Sequence, residues 1–294
     1  MSNLNIEKIE YALEEINTNE DNVSLIYNGN KMTVQYYMTD NQSAALIPMD
    51  ENGQLIASNY DVETNNIIIT DGRFSGITLG VNSENSAIFF IQVDDKTYNF
   101  SNYTEDGTYY HINRMGKLDK IYNAPSAVFT GYEAFSSGRG YIWSRTIPLL
   151  KDYIFLGSGP DTFVTTFPQR DYVSITKFSL ENQIVTKPHN LYLQIAIQTG
   201  LLSLIAFLVF YTMYFIMSIR IYFRGKFDNY YSKVGVAIFV STIGYMVAGL
   251  TNDSSITTAP IFWVLIGIGI AVNQKVSILM KEDSEVIKKI KAKN

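Results

Sequence analysis

One short segment of this chain concentrates side chains that can bind anions and move protons. His189 lies near the end of residues 133–190, and the same segment holds six basic residues, of which we single out Arg139, Arg145, Lys151, Arg170 and Lys187. A guanidinium binds phosphate or carboxylate oxygens in a bidentate way and keeps its charge, while an imidazole exchanges a proton near neutral pH. The same residue types are typical of a surface that meets lipid head groups and of a helix cap, so both interpretations stay open.

Several other kinds of chemical site are argued against by the sequence. The chain has no cysteine and two histidines, which excludes Cys-ligated zinc and iron–sulfur sites and argues against a His-rich metal site. The GSGP sequence at 157–160 lacks the Gly-Lys-Ser/Thr ending of a P-loop, so we expect a turn there. No Asp-x-Asp pair is present, so a metal-bound nucleotide sugar is not indicated. His111 lies in a predicted strand without a metal-spaced partner, and we predict a structural role for it.

Three uncharged stretches near the C-terminus are long enough to cross a bilayer, which needs about 20 apolar residues. We predict transmembrane helices over 191–219, 234–252 and 255–274. Basic residues follow the first stretch and fill the tail 275–294, whereas the loop between the last two stretches has none. Because Lys and Arg mark the cytoplasmic side, we predict a multi-pass protein of the cell (cytoplasmic) membrane, with a cytoplasmic basic tail and with residues 1–190 extracytoplasmic.

The N-terminal part of the chain is acidic and must then lie outside. Residues 1–132 carry 18 acidic and 7 basic side chains, whereas residues 133–294 carry 10 and 16. This acidic part has no stripe of basic residues that could bind a polyanion, which argues against a nucleic-acid partner. The first 21 residues have no apolar h-region and therefore form no signal peptide. We expect that transmembrane helices precede Met1 in the natural protein and are missing from this chain.

Residues 1–125 are predicted to form a helix followed by an all-β domain. Apolar residues at helical spacing predict an amphipathic helix over 1–21: Ile6, Ile9, Leu13 and Ile16. Over 22–125, about eight short runs rich in Val, Ile, Thr, Tyr and Phe are separated by turn signals, a pattern typical of a β-sandwich. Such a sandwich either binds carbohydrate, for which its Tyr and Asn are suited, or serves as a folded spacer or docking module, which we favour.

Residues 126–190 fit neither the sandwich nor the membrane. Apolar residues within them predict an interfacial helix begun by Ser136 or Ser137: Ile142, Ile147, Leu149 and Leu150. The segment closes with KPHNLYLQ, which runs straight into the first predicted span. His189 is therefore expected at the water–lipid boundary on the outer face.

Three motifs follow one another between residues 136 and 215. They are an Arg followed four residues later by Trp, an LGxG turn, and a His-Asn pair with a Gln entering a Gly-Leu-rich span, carried by Arg139, Trp143, Leu156, Gly157, Gly159, His189, Asn190 and Gln194. In order, spacing and membrane position they resemble the C-terminal half of the O-antigen ligase and Wzy-type polysaccharide polymerase family. Two features depart from the family: the Pro before the LGxG turn and the N-terminal set of membrane helices are absent.

The resemblance implies a fold and a reaction. The fold would be mixed, with an extracytoplasmic β-sandwich (22–125), an extracytoplasmic catalytic loop (126–190) and three transmembrane helices, as the C-terminal part of a GT-C-like polytopic fold. The reaction would be glycosyl transfer on the outer side of the membrane, from an undecaprenyl-diphosphate-linked glycan to a hydroxyl of a polysaccharide or lipid acceptor. It would invert the anomeric centre and need neither a metal nor another cofactor.

The resemblance also assigns roles to individual residues. Arg139 is the first choice to neutralise the diphosphate, with Arg145 and Lys187 as weaker helpers. His189 is the general base or positions the acceptor, Asn190 orients His189 or the sugar, and Trp143 joins the binding residues. Because Arg139 and Arg145 are six residues apart, they do not share one helical face closely, and we expect only one of them to be central.

Two other classes of protein remain as alternatives. One is a membrane-anchored module that binds carbohydrate or a partner enzyme while its loop is catalytically inactive. The other is a fragment of a sensor or transporter, which would need charged residues inside the spans. The three predicted spans contain none, so we rank that class last.

Overall fold

The computed structural model of the chain describes residues 12–38, 44–181, 183–223 and 227–292. The chain divides into two compact units. The β unit consists of Met1–Arg145 and Phe167–Val185, and the helical unit consists of Thr146–Thr166 and Thr186–Asn294. The segment 126–190, predicted as one loop, is therefore shared between the two units.

The β unit contains two antiparallel sheets. The first has four strands in chain order: β1 (Leu13–Thr18), β2 (Val23–Tyr27), β3 (Asn30–Met38) and β4 (Ala44–Asp50). The second has seven, also in chain order: β5 (Ser58–Asp61), β6 (Asn66–Ile69), β7 (Ile77–Val81), β8 (Phe89–Val93), β9 (Lys96–Ser101), β10 (Tyr110–Ile112) and β11 (Leu118–Asp119). Each sheet is thus a meander, because strands adjacent in the chain pair with each other.

The helix predicted for residues 1–21 is wrong over Leu13–Thr18, which form strand β1; residues 1–11 lie outside the described residues. Leu13 and Ile16 are both buried although they stand three residues apart, a spacing typical of a helix. The pairing of β1 with β2 shifts register between Leu13 and Glu15. A β-bulge adds one residue to a strand, so both apolar side chains reach the core from a strand.

Both sheets contribute to one hydrophobic core. Phe89 of the second sheet stacks on Tyr36 of the first, with ring centroids 5.0 Å apart, and on Phe100 at 5.5 Å. Tyr36, Tyr98 and Phe100 are at most 1% exposed. These aromatic side chains therefore stabilise the fold and are not available to a ligand at the surface. The sandwich arrangement of the two sheets stays a prediction.

His111 on β10 is 7% exposed, and its ring lies edge-on to Phe100 at 5.6 Å. Burial lowers the pKa of His111 from 6.5 to about 4, because the interior disfavours the charged imidazolium. In the unfolded chain the ring takes up a proton near pH 6.5. The free energy of unfolding is therefore highest above pH 6.5 and falls as the pH drops from 6.5 towards 4.

We expect His111→Asn to remove this pH dependence. The wild-type protein should lose about 3 kcal/mol of stability between pH 7 and pH 4 through this group, and the variant should not. Thermal unfolding of both proteins across this range measures the difference between their midpoints. Two curves that fall in parallel would contradict the prediction. Carboxylates that titrate in the same range contribute equally to both proteins and cancel.

The remaining elements are helical. Those of the β unit are a 3₁₀ turn (Gly72–Phe74), α1 (Phe135–Thr146, whose last residue belongs to the helical unit) and α3 (Tyr172–Lys177). Those of the helical unit are a 3₁₀ helix (Ile147–Asp152), α2 (Phe163–Thr166), α4 (Leu191–Thr199), α5 (Leu201–Tyr222), α6 (Tyr230–Ala248) and α7 (Ala259–Lys291). Helices α5, α6 and α7 are long and apolar enough to cross a membrane.

The predicted spans and the observed helices differ at two points. The span predicted over 191–219 is split at Gly200, whose φ of 101° lies outside the helical region, so only α5 is long enough to cross. Helix α4 has nine residues, about 14 Å at the helical rise. At the other end, α7 runs to Lys291, so most of the predicted tail continues the last helix.

The long helices approach each other closely through small and polar residues. A Cβ on Gly269 would lie 2.4 Å from the hydroxyl of Tyr214. Tyr222 donates a hydrogen bond to Asn273 at 2.5 Å, and Asn273 donates one to Ser218 at 2.8 Å. Small residues and hydrogen bonds between helices are typical of packing in membranes.

A candidate glycan-transfer site

The helix that carries Arg139 begins in an unusual way. Ser136, Ser137 and Gly138 have φ values of 53°, 60° and 84°, in the left-handed region. Regular helical backbone therefore starts at Arg139 and not at the two serines that were predicted to begin the helix. The helix ends at Thr146, and a 3₁₀ helix with Pro148 in its first turn follows.

The two arginines of this helix differ in their surroundings. Arg145 is 9% exposed and pairs with Asp171 at 3.0 Å and Glu133 at 3.6 Å. Arg139 is half-buried and donates to the hydroxyl of Ser136 at 3.2 Å. Within the described part of the chain, no carboxylate forms an ion pair with Arg139. Of these two arginines, Arg139 is therefore the one whose positive charge is not neutralised by a described carboxylate and is available to an anion.

We expect Arg145→Ala to unfold the β unit more readily. The substitution would leave Asp171 and Glu133, 1% and 6% exposed, buried without their cation, at a cost of about 3–5 kcal/mol. Arg170→Ala is the matched control, since Arg170 is 68% exposed and pairs with Asp119 at 3.4 Å; its cost should stay below about 1 kcal/mol. Thermal unfolding compares the two, and equal midpoints would refute a structural role for Arg145.

Trp143 packs inside the β unit. It is 6% exposed, and its ring lies 5.2 Å from that of Phe129 and 6.0 Å from that of Phe135. The contacts show a packing role. Its predicted contribution to binding diphosphate or acceptor stays a prediction, as does that of Arg145.

In the helical unit, the start of α4 is tied to the loop that joins α6 to α7. Asn190 caps α4 by accepting from the backbone N–H of Leu193 at 2.9 Å, and its amide donates to the carbonyl of Leu250 at 2.9 Å. Gln194, one turn later, accepts from the backbone N–H of Ser254 at 2.7 Å. The spacing of Asn190 and Gln194 in the third motif is thus explained, because both bind the same loop.

His189 completes this arrangement with an acidic partner. Its Nδ1 lies 3.0 Å from Oδ2 of Asp253, in the same loop. The side chain of Asp253 is 11% exposed and that of His189 is 46% exposed. Oδ1 of Asp253 is buried and has no hydrogen-bond partner among the described residues. His189 has a φ of 52°, which turns the chain sharply just before the cap of α4.

The LGxG motif holds the other end of α4. The backbone N–H of Ser158 donates to the carbonyl of Ile197 at 2.8 Å, and that of Gly159 donates to Gln198 at 3.1 Å. These carbonyls belong to the last turn of α4, where the backbone carbonyls have no N–H partner within the helix. A Cβ on Gly157 would lie 2.1 Å from the backbone of Gln198, so only glycine allows this approach. The expected turn at 157–160 is therefore a C-terminal cap for α4.

A groove runs beside α4. Its volume is ≈ 470 Å³, within the range of about 300–1,000 Å³ typical of ligand sites. The lining combines amides, a carboxylate and an aromatic ring, among them Gln194, Gln198, Asp161 and Trp263. Ser254, next to Asp253, also lines it. The groove therefore offers polar groups with an aromatic face, and its lining begins one residue after Asp253.

The structure distributes the predicted residues between its units. Arg139, Trp143 and Arg145 lie in the β unit, and Lys187, His189 and Asn190 lie in the helical unit. Lys187 is exposed, and no described carboxylate pairs with it.

Asp253 was not predicted as a site residue. It is the only charged residue between Lys233 and Lys275, and a lone carboxylate in a long uncharged region is the signal that marks it.

One comparison with known proteins gives a match. Residues 87–208 match the family described as O-antigen ligase, Wzy_C. No curated protein and no solved structure matches the chain. The matched stretch contains all three motifs, the Arg139 helix, the LGxG cap and the His189–Asn190 pair, so the predicted resemblance is confirmed. The chain is thus a membrane protein whose residues 87–208 match the O-antigen ligase family, which supports a place among membrane enzymes that handle glycans.

Proposed function

We propose that this protein transfers a glycan from an undecaprenyl-diphosphate-linked donor to an acceptor hydroxyl at the outer face of the cytoplasmic membrane, in the synthesis of a surface polysaccharide. The observation that carries the proposal is the His189–Asp253 pair, 3.0 Å apart. Ser254, the residue after Asp253, lines a groove with polar and aromatic groups. A histidine oriented by a carboxylate is the arrangement that makes imidazole an effective base.

The proton transfer follows from the geometry of that pair. An ionised Asp253 accepts the Nδ1 proton of His189, which leaves the lone pair of the neutral ring on Nε2. Nε2 takes the proton of the acceptor hydroxyl as its oxygen attacks the anomeric carbon. The bond from that carbon to the diphosphate breaks, and the lipid diphosphate leaves with the electron pair. Attack opposite to the leaving group inverts the anomeric centre.

The leaving diphosphate needs a positive partner. Arg139 suits this role because no described carboxylate neutralises it, and because a guanidinium binds phosphate oxygens in a bidentate way. Lys187 is a second candidate, since it is exposed and two residues from His189. With these cations the charge of the leaving group is balanced by side chains, and the proposed transfer uses neither a metal nor another cofactor.

The acceptor would bind in the groove beside α4. Amides of Gln194 and Gln198 can hydrogen-bond sugar hydroxyls, and Trp263 offers an aromatic face. The acceptor is a polysaccharide or a lipid. The distribution of Lys and Arg supports an orientation with residues 1–190 outside and the end of α7 in the cytoplasm, where the diphosphate donor and the groove would share one side of the membrane.

The role of Arg139 is tested in cells that lack the natural gene and have lost their surface polysaccharide. Complementation by Arg139→Ala should fail, with a loss of about 10²–10³-fold in polymer, as for the removal of one group that stabilises transition-state charge. Arg170→Ala, the exposed control, should restore the polymer fully. Membrane abundance of each variant is measured by immunoblot. Full complementation by Arg139→Ala would favour the alternative, a membrane-anchored binding module without catalysis.

A further inference from the structure

The β unit contains a cavity apart from the residues assigned to glycan transfer. Its volume is ≈ 220 Å³, smaller than the sites that take drug-sized ligands. It lies between the end of β10 and the region of α3 and is lined by His111, Arg114, Tyr172, Ile175, Glu181 and Ile184, with further polar residues. Its size fits a single small ring.

Two buried polar atoms on the lining residues lack partners. Nδ1 of His111 and Oε2 of Glu181 are buried and have no hydrogen-bond partner among the residues that the structure describes. His111 as a whole is more than nine-tenths buried. A buried polar atom without a partner costs about 1–3 kcal/mol, so native structures rarely keep one. Both atoms belong to residues that line the cavity, and the hydroxyls of a molecule bound there would supply the hydrogen bonds that these residues lack.

The lining determines which chemistry fits. A carboxylate at Glu181 accepts, the guanidinium of Arg114 can only donate, and Nδ1 of a neutral His111 accepts, because the other ring nitrogen donates to the backbone of Asn99. A hydroxyl both donates and accepts, so a ring with several hydroxyls can satisfy all three. The side chains of Ile175, Ile184 and Tyr172 offer apolar surface to the C–H faces of such a ring.

Cations fit the cavity less well. Arg114 donates from Nη1 to the backbone carbonyl of Glu181 at 3.3 Å, which places a positive charge in the cavity lining, where it repels a second cation. In addition, the described residues contain no group of three or more His, Cys, Asp and Glu side chains that could hold a metal ion.

We propose that this cavity binds one neutral sugar residue, with Glu181 and His111 as its hydrogen-bonding partners and with Tyr172 and Ile184 against its apolar faces. The site belongs to the β unit alone and does not depend on the proposed transfer reaction. It would give the β unit a glycan-binding role in addition to the folded core that most of its aromatic residues form.

The test uses the full chain in lipid nanodiscs and saturation-transfer NMR with four probes: the methyl glycosides of glucose, galactose, N-acetylglucosamine and rhamnose. We expect at least one glycoside to bind with a millimolar Kd. Glu181→Gln, which keeps the shape of the side chain and removes its charge, should weaken binding about tenfold, the loss typical of a hydrogen bond to a charged group. Ile184→Trp should abolish binding by filling the cavity, since Ile184 is 54% exposed and a larger side chain does not disturb the core.

Glu84→Gln is the matched control, because Glu84 is exposed and lies outside the cavity lining; its affinity should equal that of the wild type. Binding of no glycoside would overturn the proposal. So would binding that Glu181→Gln and Ile184→Trp leave unchanged, since the sugar would then bind elsewhere. Tight binding of Mn²⁺ that Glu181→Gln abolishes would identify the cavity as a cation site and would also overturn it.

Discussion

Replacing His189 by Ala is expected to lower glycan transfer about 10²–10⁴-fold, the contribution typical of a positioned general base. The variant removes the only imidazole of the helical unit, because His111, the other histidine of the sequence, lies in the β unit. The protein itself should fold normally, since His189 is 46% exposed and the cap of α4 depends on Asn190. Incorporation of labelled sugar into polymer in membranes of a complemented deletion strain measures the loss.

Asp253→Asn sharpens the same prediction. An amide at this position can still contact His189, but it no longer holds the Nδ1 proton as a carboxylate does, so the lone pair is not fixed on Nε2. We expect a loss on the order of 10²-fold at normal abundance. Asp228→Asn is the control, because Asp228 is exposed and precedes α6; it should retain full activity. If His189→Ala and Asp253→Asn both act like the control, the pair has no part in the reaction.

The second large effect is expected from Gly157→Ala. A Cβ at this position would lie 2.1 Å from the backbone carbon and oxygen of Gln198, and backbone atoms cannot move aside as a flexible side chain can. The LGxG turn would have to leave the end of α4 and give up the hydrogen bonds that cap it. We expect a loss of about 3 kcal/mol or more, seen as low abundance in the membrane and a lower unfolding midpoint in detergent.

Gly244→Ala is the matched control for this substitution. Gly244 lies within α6, and a Cβ there would meet nothing within 4 Å. Alanine in a helix is favoured over glycine by roughly 0.5–1 kcal/mol, so this variant should be at least as stable as the wild type. If Gly157→Ala were as abundant and as stable as Gly244→Ala, the close approach of the turn to α4 would be wrong.

Sequence patterns located most of the β unit and the three long helices. The eight runs predicted as strands all form strands, and in β3 and β8 buried residues alternate with more exposed ones. The failures have physical causes. Leu13 and Ile16 stand at helical spacing, but a bulge brings both into the core of a strand. Gly200 lies within an uncharged stretch whose length predicts one transmembrane helix, and its positive φ divides that stretch into α4 and α5.

The candidate site was predicted in part. The motif residues His189 and Asn190 are adjacent in the sequence, and the structure confirms that they start one helix. Their partner loop lies about 60 residues further on. No local sequence pattern predicts that His189 pairs with Asp253 or that Gln194 forms a hydrogen bond with Ser254. Likewise, spacing alone did not separate Arg139 from Arg145. The difference comes from Asp171 and Glu133, which neutralise only Arg145.

The most direct test of the proposed transfer is a donor assay with membranes from the deletion strain expressing the natural gene. The donor is an undecaprenyl-diphosphate-linked glycan labelled in its sugar, and the label is followed from the lipid fraction to the polysaccharide or lipid acceptor. Transfer of the label with release of undecaprenyl diphosphate, absent in membranes carrying His189→Ala, is the predicted result. Label that stays on the donor lipid in wild-type membranes, or that moves equally well in the His189→Ala membranes, would contradict it.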